Sequence, residues 1–258
     1  MQAQRLQSFL RESVRARAET IASGPFECFF DRHDPLVYLN YAIPLKTARG
    51  DELAGALRHL EAVFRTHERV PRFEFVPAVT PALEPALLAA GYCSESQATT
   101  MVCDPSSLKT AGFPLHAVAF HDERTADAEI VETLAVRARA FGLETPADAT
   151  AVAAYRASAK RSPHAVVRVD GRIAGAGMLT SAYDGVAEIG GIGVLEGYRR
   201  RGYGGALTAA LAARGFGGDL RMIHLTAGSR AAASVYANVG FRESDVTVAA
   251  YIKPPEST

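Results

Sequence analysis

Between residues 52 and 67 the apolar side chains Leu53, Ala56, Leu57, Leu60, Val63 and Phe64 return every three or four positions among charged neighbours, the period of one helical face. The same period predicts helices over 4–22, with Leu6, Leu10, Val14 and Ile21 as the buried stripe, and over 126–141, with Ile130, Leu134, Val136 and Ala138. Further helices are predicted at 81–90, stopped by Gly91, at 147–161 after the turn residues Glu144, Thr145 and Pro146, and at 229–238, ended by Gly240. Short apolar runs predict strands at 26–30 and 36–45, read as a hairpin, and at 73–76, 97–103, 115–120, 221–226 and 244–252. Runs at 164–169 and 172–180 flank Asp170-Gly171, a two-residue hairpin signal. Residues 104–114, rich in Pro, Ser and Gly, break the pattern and mark a linker.

A chain of 258 residues has room for one large domain or two ordinary ones. Hydrophobic residues make up 48% and charged residues 22%, a soluble globular composition. Lys+Arg and Asp+Glu both number 28, so no global field draws the protein to nucleic acid or an anionic membrane. Cys28, Cys93 and Cys103 form no C-x-x-C pair and cannot all be bridged. Reduced thiols, a cytoplasmic location and no metal site are the expectations. The first twenty residues lack the apolar core of a signal peptide, and no run reaches the length of a membrane span.

The chemistry concentrates at 186–211, which reads as a strand, a basic glycine-rich turn and a helix with Tyr203, Leu207, Ala210 and Leu211 on one face. Arg199, Arg200 and Arg201 run directly into Gly202-Tyr203-Gly204-Gly205. A helix N-terminus offers unpaired N–H groups and partial positive charge, and glycines let a phosphate come close. A P-loop is excluded, because Tyr203 and Gly204 stand where Lys and Ser/Thr are required after Gly197 and Gly202. A dinucleotide fingerprint is excluded too, since Leu207 occupies its third glycine position.

What remains is R-x-x-G-x-G, filled by Arg199, Gly202 and Gly204, and it resembles the pyrophosphate motif of the Gcn5-related N-acetyltransferase (GNAT) superfamily. Ala232, Tyr236 and Gly240-Phe241 resemble the same family's closing A-x-x-x-Y-x-x-x-G-F signature. The predicted element order from 115 onward matches too. The resemblance implies an α+β fold, a mixed and predominantly antiparallel sheet flanked by helices. The first half looks like a worn copy: aligning 45–57 with 195–207 sets Glu52 opposite Gly202 and Ala54 opposite Gly204. Tandem GNAT-like domains are thus expected, 1–110 without a cofactor site and 111–258 catalytic.

For the second domain the resemblance implies acetyl-CoA as donor and an amine of a small molecule or protein as acceptor, in a monomer or homodimer. Backbone N–H groups from Arg200 through Arg201, Gly202, Tyr203, Gly204 and Gly205, with the charges of Arg199 and Arg200, would take the pyrophosphate. Ile192, Gly193 and Val194 would pair with the pantetheine arm, the Ile192 N–H facing the thioester oxygen. Tyr236 would protonate the departing thiolate, and Glu188, eleven residues before Arg199, would serve as base, with His224 a second candidate. Ser229 stands where many members carry asparagine and is a possible cofactor contact. The acceptor pocket is expected around 141–155. A non-catalytic acyl-CoA sensor or scaffold is the alternative, and a nucleotide-binding regulator is disfavoured by the two failed motifs.

Overall fold

The computed structural model describes residues 2–15, 18–32, 37–143 and 147–254. They form two compact units, 1–100 with 244–258, and 101–243. Among these residues no helix is long and apolar enough to cross a membrane, and no group of three His, Cys, Asp or Glu side chains is placed to hold a metal. All three cysteines are free thiols, Cys28 and Cys103 buried and Cys93 exposed.

In the first unit α1 (Gln2–Arg15) leads into β1 (Ala18–Ser23), β2 (Phe26–Asp31) and β3 (Tyr41–Pro44). Then come α2 (Gly50–Thr66), β4 (Arg72–Phe75), α3 (Leu83–Ala89) and most of β5 (Cys93–Cys103). The chain returns to this unit with β11 (Arg242–Ile252). The sheet order is β1-β2-β3-β4-β11, antiparallel except for β3 and β4. The apolar stripe of α2, Leu53, Leu57, Leu60 and Phe64, closes over Phe26, Phe30, Phe73 and Phe75. The edge-to-face contact of Phe30 with Phe64, 4.9 Å between ring centroids, ties helix to sheet.

The second unit contains β6 (Val118–His121), α4 (Asp127–Ala140), α5 (Ala149–Ala159), β7 (His164–Val169) and β8 (Arg172–Leu179). It continues with β9 (Val186–Val194), α6 (Tyr203–Phe216), β10 (Met222–Thr226) and α7 (Arg230–Val239). Its sheet runs β6-β7-β8-β9-β10, antiparallel up to a parallel β9–β10 pair. The plan hairpin, strand, helix, parallel strand, helix recurs in both units, as the aligned sequences imply. Asp170 and Gly171 both take positive φ, 50° and 77°, which is the two-residue hairpin turn their sequence signals.

Several sequence expectations change. The helix predicted over 4–22 stops at Arg15, and Ile21 instead pairs with Cys28 in the β1–β2 hairpin; β-branched Thr20 and Ile21 suit a strand better than a helix end. In the 36–45 run a 3-10 turn at Val37–Leu39 precedes the short β3, and Leu36 lies outside the described residues. The turn at Glu144, Thr145 and Pro146 lies outside them as well. Another 3-10 turn, Leu115–Ala117, precedes β6. The predicted face of α6 is too narrow: Gly205, Ala206, Leu207, Thr208, Ala209, Leu211, Ala212 and Gly215 are all buried, while Ala210 is only partly so. Small side chains let this helix sit close to the strands on several sides.

The units also depart from the linear 1–110 and 111–258 division. The last strand is built into the first unit, where Ala249 and Tyr251 face Phe75 and Phe73 across β4 and join that core. Met101 and Cys103, at the end of β5, join the core of the second. Tyr251 is 1% exposed, its ring 6.0 Å from Phe75 and its hydroxyl donating to Glu84. Tyr251→Ala is expected to cost about 3–5 kcal/mol, read as a lowered midpoint in urea unfolding. A cost below about 1 kcal/mol would mean that the last strand does not hold this core.

Candidate active site

β9 carries glycines at 190, 191 and 193, and the pairing with β8 slips there: Met178 lies opposite Gly190 but Ala176 opposite Gly193. Two residues, Gly191 and Ile192, thus face Gly177 alone, which defines a bulge. Gly191 takes φ +63°, open to glycine at little cost. A Cβ on Gly177 would come 2.3 Å from the end of the Ile192 side chain, so a larger residue there would displace Ile192. On the other edge, registered pairing with β10 ends at Glu188 opposite His224, and β9 runs on to Val194. The two parallel strands part, and a cavity begins where they do.

That cavity, about 510 Å³, is lined by Ile192, Gly193 and Val194 of β9, by Arg199, Arg200, Gly202, Tyr203, Gly204 and Gly205, and by Ser229 and Tyr236. The N-cap of α6 is Gly202 with φ 80°, and its carbonyl accepts the first helical bond from the Ala206 N–H. The N–H groups of Tyr203, Gly204 and Gly205 lie ahead of that bond and have no carbonyl within the helix to reach. No acidic residue stands in the first turn of α6, so the positive end of the helix dipole is not offset locally. A Cβ on Gly204 would meet nothing closer than Val235 at 4.0 Å, which leaves room above the helix end. Gly205 is glycine for another reason: a Cβ there would come 2.3 Å from the Phe113 ring.

The arginines divide. Arg200 lines the cavity with φ +62°. The Arg199 guanidinium donates to the carbonyls of Val194 (2.9 Å) and Ala140 (3.2 Å), fastening the end of β9 to the end of α4. Arg201 lies outside the lining, 5.8 Å over the Tyr198 ring. Tyr236 is 9% exposed, packs 6.4 Å from Phe241 and faces the cavity; burial pushes its pKa upward. The phenol therefore holds its proton at neutral pH. Ser229 caps α7 by accepting from the Ala232 N–H at 3.1 Å.

Glu188 is not brought into the lining; its backbone is held by Thr180, whose Oγ1 accepts from the Glu188 N–H at 2.9 Å. Across from it His224 is buried, and desolvation holds its pKa down to about 3. The lining also contains Ala232, the first residue of the Tyr236 signature, and Phe113, Ala140, Tyr198, Ala231, Val235 and Asn238, which the sequence analysis does not single out. Their signal is positional only: Ala231, Val235 and Asn238 share with Ala232 and Tyr236 one face of α7.

Residues 129–241 match the family described as Acetyltransferase (GNAT) family. No curated protein matches the chain. Among solved structures the chain is similar to a GCN5-related N-acetyltransferase from Kribbella flavida, at 21% identity, 98% of this chain and 96% of that one, with a TM-score of 0.80. It is similar to a tandem GNAT protein from the clavulanic acid biosynthesis pathway, at 16% identity over 90% and 79% of the two chains, TM-score 0.60. A GCN5-related N-acetyltransferase from Sphaerobacter thermophilus shares 15% identity over 98% and 90%, TM-score 0.63. At such identities the likeness is one of fold, and it extends through the N-terminal half.

The state of His224 has a consequence for stability. Unfolded, its imidazole titrates near the ordinary pKa of about 6.5; folded, it does so near 3. The unfolded chain then binds the extra proton between these values, so stability is flat above about pH 7 and falls as pH drops. By pH 5 this one histidine removes about 2 kcal/mol. Chemical unfolding at pH 7 and pH 5 checks it: the gap in stability between wild type and His224→Gln is expected to shrink by about that amount on acidification. An unchanged gap would count against it.

Proposed function

Because residues 129–241 match the Acetyltransferase (GNAT) family, we propose that the chain transfers an acetyl group from acetyl-CoA to a primary amine of a small molecule or protein in the cytoplasm. One observation carries this reading. A single cavity joins the open N-terminus of α6, the unpaired edge of β9 and the buried phenol of Tyr236. The residues fit such a donor: N–H groups without acceptors, glycines that leave space, and the cationic Arg200 suit a pyrophosphate. The donor supplies an activated thioester carbonyl.

The roles of the chain's own residues follow from position. Tyr203, Gly204 and Gly205 offer their N–H groups to phosphate oxygens, with Arg200 adding charge. Arg199 acts through the backbone, holding Val194 and Ala140 so that the β9 edge keeps its place. Ile192 and Val194 offer backbone groups along that edge, and the Ile192 N–H, displaced by the bulge, is the donor for the carbonyl oxygen as negative charge grows there. Tyr236 gives its proton to the leaving thiolate; a phenol and a thiol, with ordinary pKa values of about 10 and 8.5, exchange a proton readily. Glu188, at the point where β9 and β10 part, accepts the amine proton. His224, kept neutral and buried on β10, is left out of this scheme.

The first unit is proposed to lack this activity. Its equivalent helix α2 begins with Asp51 and Glu52 in the first turn. Those carboxylates already complement the helix dipole and repel a phosphate. A sensor or scaffold that binds acyl-CoA without turnover is the second reading, favoured by the absence of Glu188 from the cavity lining.

Gly204→Glu places a carboxylate in open space at the α6 N-terminus and is expected to weaken acetyl-CoA binding at least 30-fold by calorimetry, with circular dichroism unchanged. Undiminished binding would refute the cradle. Tyr236→Phe is expected to lower thiol release by about 100-fold while the dissociation constant of coenzyme A stays within threefold. A wild-type protein that binds acetyl-CoA yet releases no thiol with any amine would favour the sensor.

A further inference from the structure

Arg137 lies on α4, one turn before Ala140, whose side chain lines the cavity. Its guanidinium rests against the bulge of β9. A Cβ on Gly191 would come 3.0 Å from its Nη2 and 3.5 Å from its Cζ and Nε, so the Nε–Nη2 edge of the guanidinium lies against the glycine. The residue is half-buried, and desolvation pushes the pKa of the group down. Among the described residues it makes no hydrogen bond and no ion pair.

The neighbouring polar groups are already committed to one another. The Tyr155 hydroxyl is 2.8 Å from His121 Nδ1, and His121 Nε2 is 2.8 Å from Glu129 Oε1. Glu129 also pairs with Arg168, and His164 Nε2 is 3.0 Å from Ser158 Oγ. His164 is held neutral, with its pKa lowered to about 4, by burial first and then by the charge of Arg137 itself. Burial likewise keeps Tyr155 protonated. A half-buried cation is thus kept beside groups already committed to one another, Glu129 to Arg168 among them, a costly state unless a counter-charge arrives.

We propose that Arg137 receives a carboxylate borne by a substrate, making it a specificity-determining residue beside the bulge of β9. The inference rests on the acyl-transfer reading above. A lone guanidinium balances one negative charge, and its planar fork matches a carboxylate through two parallel bonds. A phosphate dianion would leave one of its two charges without a partner. The carboxylate can come from the amine acceptor, as in an amino acid, or from the acyl group of the donor, as in a dicarboxylic half-thioester; both present the same group to the arginine.

The test compares wild type, Arg137→Met and Arg137→Lys. Thiol release is measured with glycine against glycinamide and β-alanine against its amide, each with acetyl-CoA. A second arm sets succinyl-CoA against acetyl-CoA with one neutral amine. In one arm wild type is expected to favour the carboxylate by at least 30-fold in kcat/KM. Arg137→Met should erase that preference through KM while altering the neutral partner by less than about twofold, and Arg137→Lys should keep part of it. Without turnover, the same carboxylates should raise the melting temperature of wild type but not of Arg137→Met. Arg137→Met alone should melt at or above the wild-type temperature, because it removes an uncompensated charge.

Equal rates for charged and neutral partners in both arms, or a variant that loses both equally, would overturn the proposal, as would a fall in melting temperature for Arg137→Met alone. Carboxylate-dependent stabilisation that requires Arg137 in a protein releasing no thiol would uphold it and defeat the acyl-transfer reading instead.

Discussion

The parting of β9 from β10 after Glu188 is the constraint on which the second unit turns. A parallel pair that continued would satisfy the backbone of Gly190–Val194 within the sheet and leave nothing to offer a ligand. The parting needs a cause, and the bulge opposite Gly177 supplies it by adding one residue to β9 and bending the strand. It also needs a fastening, which Arg199 provides by tying the strand end to the carbonyl end of α4. The open strand edge and the open N-terminus of α6 then face one cavity.

Close approach is the means by which this is built. Gly175, Gly177, Gly193 and Gly205 each stand where a Cβ would fall within 3.0 Å of another atom, so strand, helix and linker meet backbone to side chain. α6 buries alanines and glycines on several sides, which brings its N-terminus down to the level of the strand ends. The first unit solves its packing differently, with phenylalanines interlocked between sheet and helix, and its α2 starts on two acidic residues. The same order of elements therefore supports two surfaces of opposite electrical character at the corresponding helix ends.

Burial keeps several titratable groups of the second unit neutral. His164 and His224 are kept neutral by burial, and Tyr236 keeps its proton for the same reason. Arg137 is the exception, a cation held against the bulge. The cavity of the second unit thus has the positive end of α6, a protonated phenol in Tyr236 and, beside Gly191 of β9, the cation of Arg137.

The sequence by itself determined what depends on spacing along the chain. The strand, turn and helix of 186–211, the Tyr236 helix ended at Gly240, the Asp170-Gly171 hairpin and the recurrence of one plan in both halves are all local patterns. Most of the cavity lining falls within them, because one turn and one helix face supply it. Tertiary structure decided the rest, where the deciding partner lies far off in sequence. Arg199 reaches Ala140 rather than only the turn it belongs to, Arg201 folds onto Tyr198, and Glu188 stays with Thr180 outside the lining. The final strand joins the first unit because its apolar face matches β4 and the α2 core. Arg137 carries no signal along the chain; only the bulge of β9, more than fifty residues later, gives it a neighbour in Gly191.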